Sequence, residues 1–78
     1  MPKFIDSHKI GNVQEEQLRQ AQNMPKDENG VTHENIIYSY EEDKLFCLLD
    51  APDKEAVRQH HQKLGISCDW IVEVKTTA

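Results

Sequence analysis

Residues 44–49 read Lys-Leu-Phe-Cys-Leu-Leu, and Leu45 through Leu49 are apolar without interruption. Successive side chains of a strand point to opposite faces, so a run apolar at every position belongs to a strand that is buried on both. The run is the length of a strand and too short for a helix. On its N-terminal side, Glu41-Glu42-Asp43 is a polar hairpin connection. Residues 31–40, Val31 to Tyr40, are rich in β-branched and aromatic types, which makes them the partner strand. On its C-terminal side, Pro52 and Asp53 announce a helix, with Asp53 as N-cap and Glu55 in the first turn. Val57, His61 and Leu64 recur at i, i+4 and i+7 along one face of that helix, Ala56 and His60 flank them, and Gly65 is the stop.

Working outward to the two ends, Lys3 to Lys9 reads as a strand with Phe4, Asp6 and His8 on one face and Ile5 and Ser7 on the other. Gly11 and Asn12 break it. Asn12 followed by Glu15 matches a capping box that opens a helix over Gln14 to Asn23, with Val13, Leu18 and Ala21 as a weak apolar stripe. Pro25 stops or kinks this helix near Asn23 or Met24. Lys26-Asp27-Glu28-Asn29-Gly30 is a polar turn. Asp69 to Lys75 is the last strand, with Trp70, Val72 and Val74 on one face and Glu73 and Lys75 on the other.

The order βαββαβ is the ferredoxin-like signature: an α+β domain in which a four-stranded antiparallel sheet carries both helices on one face. The first and third strands are then the central neighbours. Two helices cover only one face, yet the third strand is apolar on both. A second copy of the chain, sheet against sheet, is the simplest cover, so a homodimer is expected.

The 78 residues suit one domain, residues 1–78, with a small core. A net charge of -5 and the lack of any Lys/Arg cluster argue against nucleic acid and against an anionic membrane surface. No signal peptide and no span-length apolar run is visible, so the expected location is the cytoplasm. There, Cys47 and Cys68 are expected as free thiols.

The metal-capable side chains fall on three separate elements. Asp6 and His8 share a face of the first strand, Cys47 lies mid-strand in the third, and His60 and His61 lie on the second helix. The antiparallel neighbours bring His8 and Cys47 within a few residues of each other, with the helix crossing above. Imidazole and thiolate together favour late transition metals over magnesium or calcium, and Asp6 can ligate or orient an imidazole. Each residue also has a plain explanation. Cys47 fills a core as a small hydrophobe, a core-facing His61 needs only a hydrogen bond, and His8 near a strand end can face water. Asp6 is the hardest to explain away, because a carboxylate inside an apolar strand needs a partner. His33 reads as surface. Cys68 lacks the spacing of a zinc or redox motif. Tyr38, Tyr40 and Trp70 read as core or interface residues. No local ligand motif, nucleophile elbow or phosphate loop is present, so the residues name no reaction.

Three segments, MPKFIDSH, FCLLDAP with KEAV, and HHQKLGISCDWIVEV, together resemble a family of small bacterial ferredoxin-like proteins described as nickel-binding or nickel-responsive. The resemblance is most specific at Phe4-x-Asp6-x-His8, at Phe46-Cys47-Leu48, and at the helix-two histidine followed by Gly65 and Asp69. It implies a dimeric α/β barrel of two such units and binding of nickel or another divalent transition metal. Asp6, His8 and Cys47 match the family positions directly; the helix-two histidine is either His60 or His61. The chain departs from the pattern at Pro25, which cuts short a helix that related sequences continue. A small-molecule site without metal, and a protein with purely structural histidines, are the competing readings.

Overall fold

The computed structural model of the chain describes residues 2–78. Its elements are β1 (Lys3–His8), α1 (Glu15–Gln22), β2 (Thr32–Ser39), β3 (Lys44–Asp50), α2 (Lys54–Leu64) and β4 (Trp70–Val74). The strands form one sheet in the order β2-β3-β1-β4, with every neighbouring pair antiparallel. This is the ferredoxin-like arrangement expected from the sequence, with β1 and β3 central. Among the described residues no helix is long and apolar enough to cross a membrane.

Register decides which side chains meet the helices. Ile36, Cys47, Asp6 and Ile71 form one row across the four strands. Leu45 stands opposite His8, and Leu49 opposite Phe4. This face lies under the helices: Phe4, Leu45, Cys47 and Leu49 are buried with Leu18 of α1 and Ala56 and Val57 of α2. Along β1 and β3 the opposite face carries Ile5, Phe46 and Leu48, all partly exposed. It continues into Ile37, Trp70 and Val72, which are exposed, and the Phe46 and Trp70 rings lie 6.3 Å apart. Trp70, Tyr38 and Tyr40 are therefore not core residues.

The second helix follows its sequence signals. The Asp53 side chain accepts from the Ala56 N–H at 2.8 Å, and Gly65 ends the helix with φ +71, a left-handed value that favours glycine. The first helix differs. A Val13 N–H to Ile10 carbonyl bond (3.2 Å) closes a turn through Gly11 and Asn12. Asn12 is therefore inside the turn, and the N-cap is Gln14, whose N–H donates to the Gln17 side-chain oxygen at 2.7 Å. The helix ends at Gln22, ahead of Pro25. Leu64 is also displaced from its expected core position and is 55% exposed. A cavity of about 230 Å³ lies between the two helices and the sheet, and Leu64 lines it instead of packing.

Candidate metal centre

Asp6 is the centre of the site. It sits mid-strand in β1, opposite Cys47, and is 0% exposed. His8, two residues on, lies on the same face by the strand's period of two. Its Nε2 is 3.6 Å from Asp6 Oδ1 and 3.8 Å from Cys47 Sγ. His8 and Cys47 thus point to one face, and His8 is buried, not facing water. Asp6, His8 and Cys47 each offer a ligand atom within 4.8 Å of the others.

From above, α2 contributes His61. Its Nδ1–H donates to the Val57 carbonyl one turn back, at 2.8 Å, and its Nε2 lies 3.1 Å from Asp6 Oδ2. His8 has a parallel arrangement, with Nδ1 3.3 Å from the Lys9 carbonyl. Occupying Nδ1 with a backbone acceptor leaves the Nε2 lone pair of each neutral imidazole directed at Asp6. Neither oxygen of Asp6 has a hydrogen-bond partner. The His61 contact is therefore an ion pair when His61 is protonated and a clash of lone pairs when it is neutral. Burial disfavours the imidazolium, but the Asp6 carboxylate outweighs it, and the His61 pKa is raised above its usual value.

The same carboxylate acts on two thiols. Burial first, and Asp6 second, push Cys47 well above the ordinary thiol range; the same two causes, aided by Asp69, push Cys68 up to about 12. Without a cation both are neutral thiols. A bound divalent ion reverses that, because a coordinated thiol loses its proton.

Cys68 is the member that the spacing rules missed. Asp6, His61 and Cys68 form a second group with ligand atoms within 4.8 Å of one another. The chain brings Cys68 there by a short return. The Gly65 and Ile66 N–H groups cap α2 on the Gln62 and His61 carbonyls, both at 3.0 Å, and the Asp69 N–H donates to Ser7 at 2.7 Å. The useful signal was topological: the residues just before β4 must run beside β1, next to Asp6.

His60 goes elsewhere. Its Nδ1–H donates to Asp27 Oδ2 at 2.6 Å, and its ring lies edge-on to His33 at 5.5 Å. Asp27 is not merely part of a polar turn. Its Oδ1 accepts the N–H groups of Asn29 and Val31, both at 2.9 Å. These two donors and His60 overcome the effect of burial and lower the Asp27 pKa. His33 is half-buried, not a surface residue, because its partner Leu49 is on the helix-facing side. Burial, followed by repulsion from His60, pushes it down to about 4. Of the five side chains singled out in the sequence, Asp6, His8, Cys47 and His61 converge, while His60 belongs to a separate pair.

The donor set fits a late divalent transition metal. Around a tetrahedral ion with bonds of about 2.0–2.3 Å, neighbouring ligand atoms lie about 3.3–3.8 Å apart. The separations of 3.6 and 3.8 Å around His8 Nε2 are close to that. Two buried acceptor oxygens without a donor complete the case, since a cation supplies what no N–H does.

The fold and this cluster define a class: a ferredoxin-like domain with a buried nitrogen, sulfur and oxygen donor set between sheet and helix. The chain belongs to the family described as nickel responsive protein SCO4226-like, which it matches over residues 4–74. It is also similar to the crystal structure of SCO4226 from Streptomyces coelicolor A3(2), with a TM-score of 0.78 and 28% identity over 97% of this chain and 99% of that one. No curated protein matches.

Proposed function

We propose that this protein binds a divalent transition metal ion, nickel first, at the buried Asp6 cluster, and that it works as a cytoplasmic homodimer. The observation that carries the reading is the pair of buried Asp6 oxygens without a hydrogen-bond donor, faced by imidazole nitrogens. Asp6, His8 and Cys47 are the primary ligands, and His61 is the helix-two histidine that faces the same carboxylate. The nickel-responsive family description supports nickel over zinc. The metal supplies a Lewis-acidic positive centre; the chain holds it, fixes both imidazole tautomers through backbone carbonyls and shields it from water.

Calorimetric titration of metal-free, untagged protein with nickel and with zinc tests the reading. Saturable binding that disappears in a His8→Ala/Cys47→Ala double variant supports it. Absent binding, or binding unchanged in that variant, overturns it.

Self-association draws support from the bare sheet face, where Ile37, Trp70 and Val72 are exposed beside half-buried Phe46. Burying such a patch is the usual drive for association. A Trp70→Lys variant that sediments at half the wild-type mass supports the dimer; a monomeric wild type overturns it.

A second reading has its own observation. The cavity of about 230 Å³, lined by His33, His60 and Leu64 as well as His8 and Cys47, offers a small apolar molecule room beside the cluster. Ligand binding that survives metal removal and the double variant favours this reading.

A further inference from the structure

We propose that the cavity between the two helices and the sheet binds a neutral phenol-type molecule, a single aromatic ring whose hydroxyl donates to His60. The inference rests on the second reading above, to which it adds the class of ligand and the residue that recognises it. It does not depend on a metal.

The cavity has the size and the walls of a small-molecule site. Its volume is about 230 Å³, and an apolar cavity of about 150 Å³ already admits benzene. One ring with a short substituent therefore fits. Leu18 and Ala21 of α1, Ile36 and Leu45 of the sheet and Leu64 of α2 make the walls apolar. Met24 and Leu64 at the edge are each 55% exposed, and Ile66 is 37% exposed. These are large apolar side chains left without packing, and an apolar occupant covers them. The bare face with Ile37, Phe46 and Trp70 is on the other side of the sheet, so self-association there leaves this cavity open.

The polar end is one imidazole. His60 is buried and lines the cavity. Its Nδ1–H is committed to Asp27 Oδ2 at 2.6 Å, and Asp27 is itself held by the N–H groups of Asn29 and Val31. This fixes the ring and leaves Nε2 of the neutral imidazole as an acceptor. Among the described residues Nε2 meets no hydrogen-bond partner, and it is not sealed off, so it opens onto the space that the ring lines. A ligand hydroxyl supplies the missing donor. The surroundings select the rest of the molecule. His33 lies edge-on to His60 at 5.5 Å and is kept neutral by burial. The His33 and His8 rings and the Met24 thioether favour an aromatic occupant over an aliphatic one. The Asp27 carboxylate stands behind His60, Lys63 is paired with Glu28 at 2.7 Å, and Lys9 is exposed to water. A ligand carboxylate would be buried here against like charge, so the occupant is neutral.

Calorimetric titration of metal-free, untagged protein with 4-methylphenol, toluene and 4-methylbenzoate tests the inference, because the three probes share a ring and a methyl group and differ only in the polar group. The expected result is that 4-methylphenol binds at least tenfold more tightly than toluene and that 4-methylbenzoate does not bind. His60→Leu should erase the preference for 4-methylphenol and keep toluene binding. Ala21→Phe, which fills the cavity from the α1 wall, should abolish both. The wild-type comparison decides even where a variant fails to fold. Equal affinity for 4-methylphenol and toluene overturns the inference and leaves the cavity reading standing. Preference for 4-methylbenzoate overturns it in favour of an anion site. Binding of 4-methylphenol that is unchanged in both folded variants puts the ligand elsewhere and overturns it too. Binding of none of the three overturns the inference together with the cavity reading beneath it.

Discussion

Two neighbouring histidines of α2 each meet an aspartate, and the two pairs are built in opposite ways. Asp27 accepts the His60 N–H at 2.6 Å and two backbone N–H groups besides, so its charge is fully answered by protein donors. Asp6 lies 3.1 Å from His61 Nε2, and no backbone N–H reaches either of its oxygens. The difference begins with the imidazoles. His60 turns its Nδ1–H to the carboxylate, whereas His61 gives that proton to Val57 and turns Nε2 to Asp6. A carboxylate with its donors in place holds a structure together. A carboxylate with its donors withheld is prepared for a cation. Sequence distance between the histidines is one residue, yet their tasks separate cleanly.

The largest effect that sharpens this contrast is on stability. Asp27→Ala leaves two backbone N–H groups and the buried His60 without an acceptor, at about 1–3 kcal/mol for each unsatisfied group less what water recovers. A loss of about 3 kcal/mol in urea unfolding is expected, with nickel affinity of the remaining folded protein unchanged. Loss of nickel binding at full stability would reverse the roles of the two pairs.

Asp6→Asn is next and has the opposite signature. It removes the central carboxylate ligand, so nickel affinity is expected to fall about 100-fold or more, equivalent to about 2.7 kcal/mol. Metal-free stability at pH 8 should change by less than about 1 kcal/mol, because an unpaired buried charge is removed along with the side chain's polarity. Calorimetry and denaturant titration on one preparation measure both. A smaller effect separates the histidines themselves. His60→Gln should cost about 1 kcal/mol of stability and leave nickel affinity alone, while His61→Gln lowers nickel affinity with little change in stability.

How far the sequence reached follows the same division. The apolar run Leu45–Leu49 and the Asp53 and Gly65 caps made the sheet order and α2 legible, because they are local signals. The period of two puts Asp6 and His8 on one face of β1, while Cys47 joins them only through the β1–β3 register that sets it opposite Asp6. Choosing between His60 and His61 was beyond the sequence: both are buried, and only the positions of Asp27 and Asp6 distinguish them. Cys68 and Asp27 were illegible for a common reason. Each reaches its partner through loop geometry, the Asp69–Ser7 bond in one case and the Val31 and Asn29 donors in the other. Asn12 misled because its turn closes on Ile10 before the helix begins. Leu64 misled because its helical period is right but the space it faces is a cavity.

The smallest expected effect is the most discriminating for the Asp6 pair, since it asks what stands in for the metal when none is bound. In metal-free protein the His61 imidazolium, whose pKa the carboxylate raises, stands against Asp6 at 3.1 Å. A raised folded-state pKa adds stability that is complete below the unfolded value near 6.5 and is lost as pH climbs through the folded value. The melting temperature of chelator-treated wild type should therefore fall gradually as pH rises above 6.5, and this dependence should vanish in Asp6→Asn. Nickel reverses the slope, because thiols held high by burial and by Asp6 must release protons to bind it. The stabilisation by nickel should grow with pH over the range in which the metal-free protein weakens. A metal-free melting temperature that rises with pH, or a nickel effect independent of pH, would mean that proton and metal do not compete for the same carboxylate, and the contrast between Asp6 and Asp27 would lose its chemical basis.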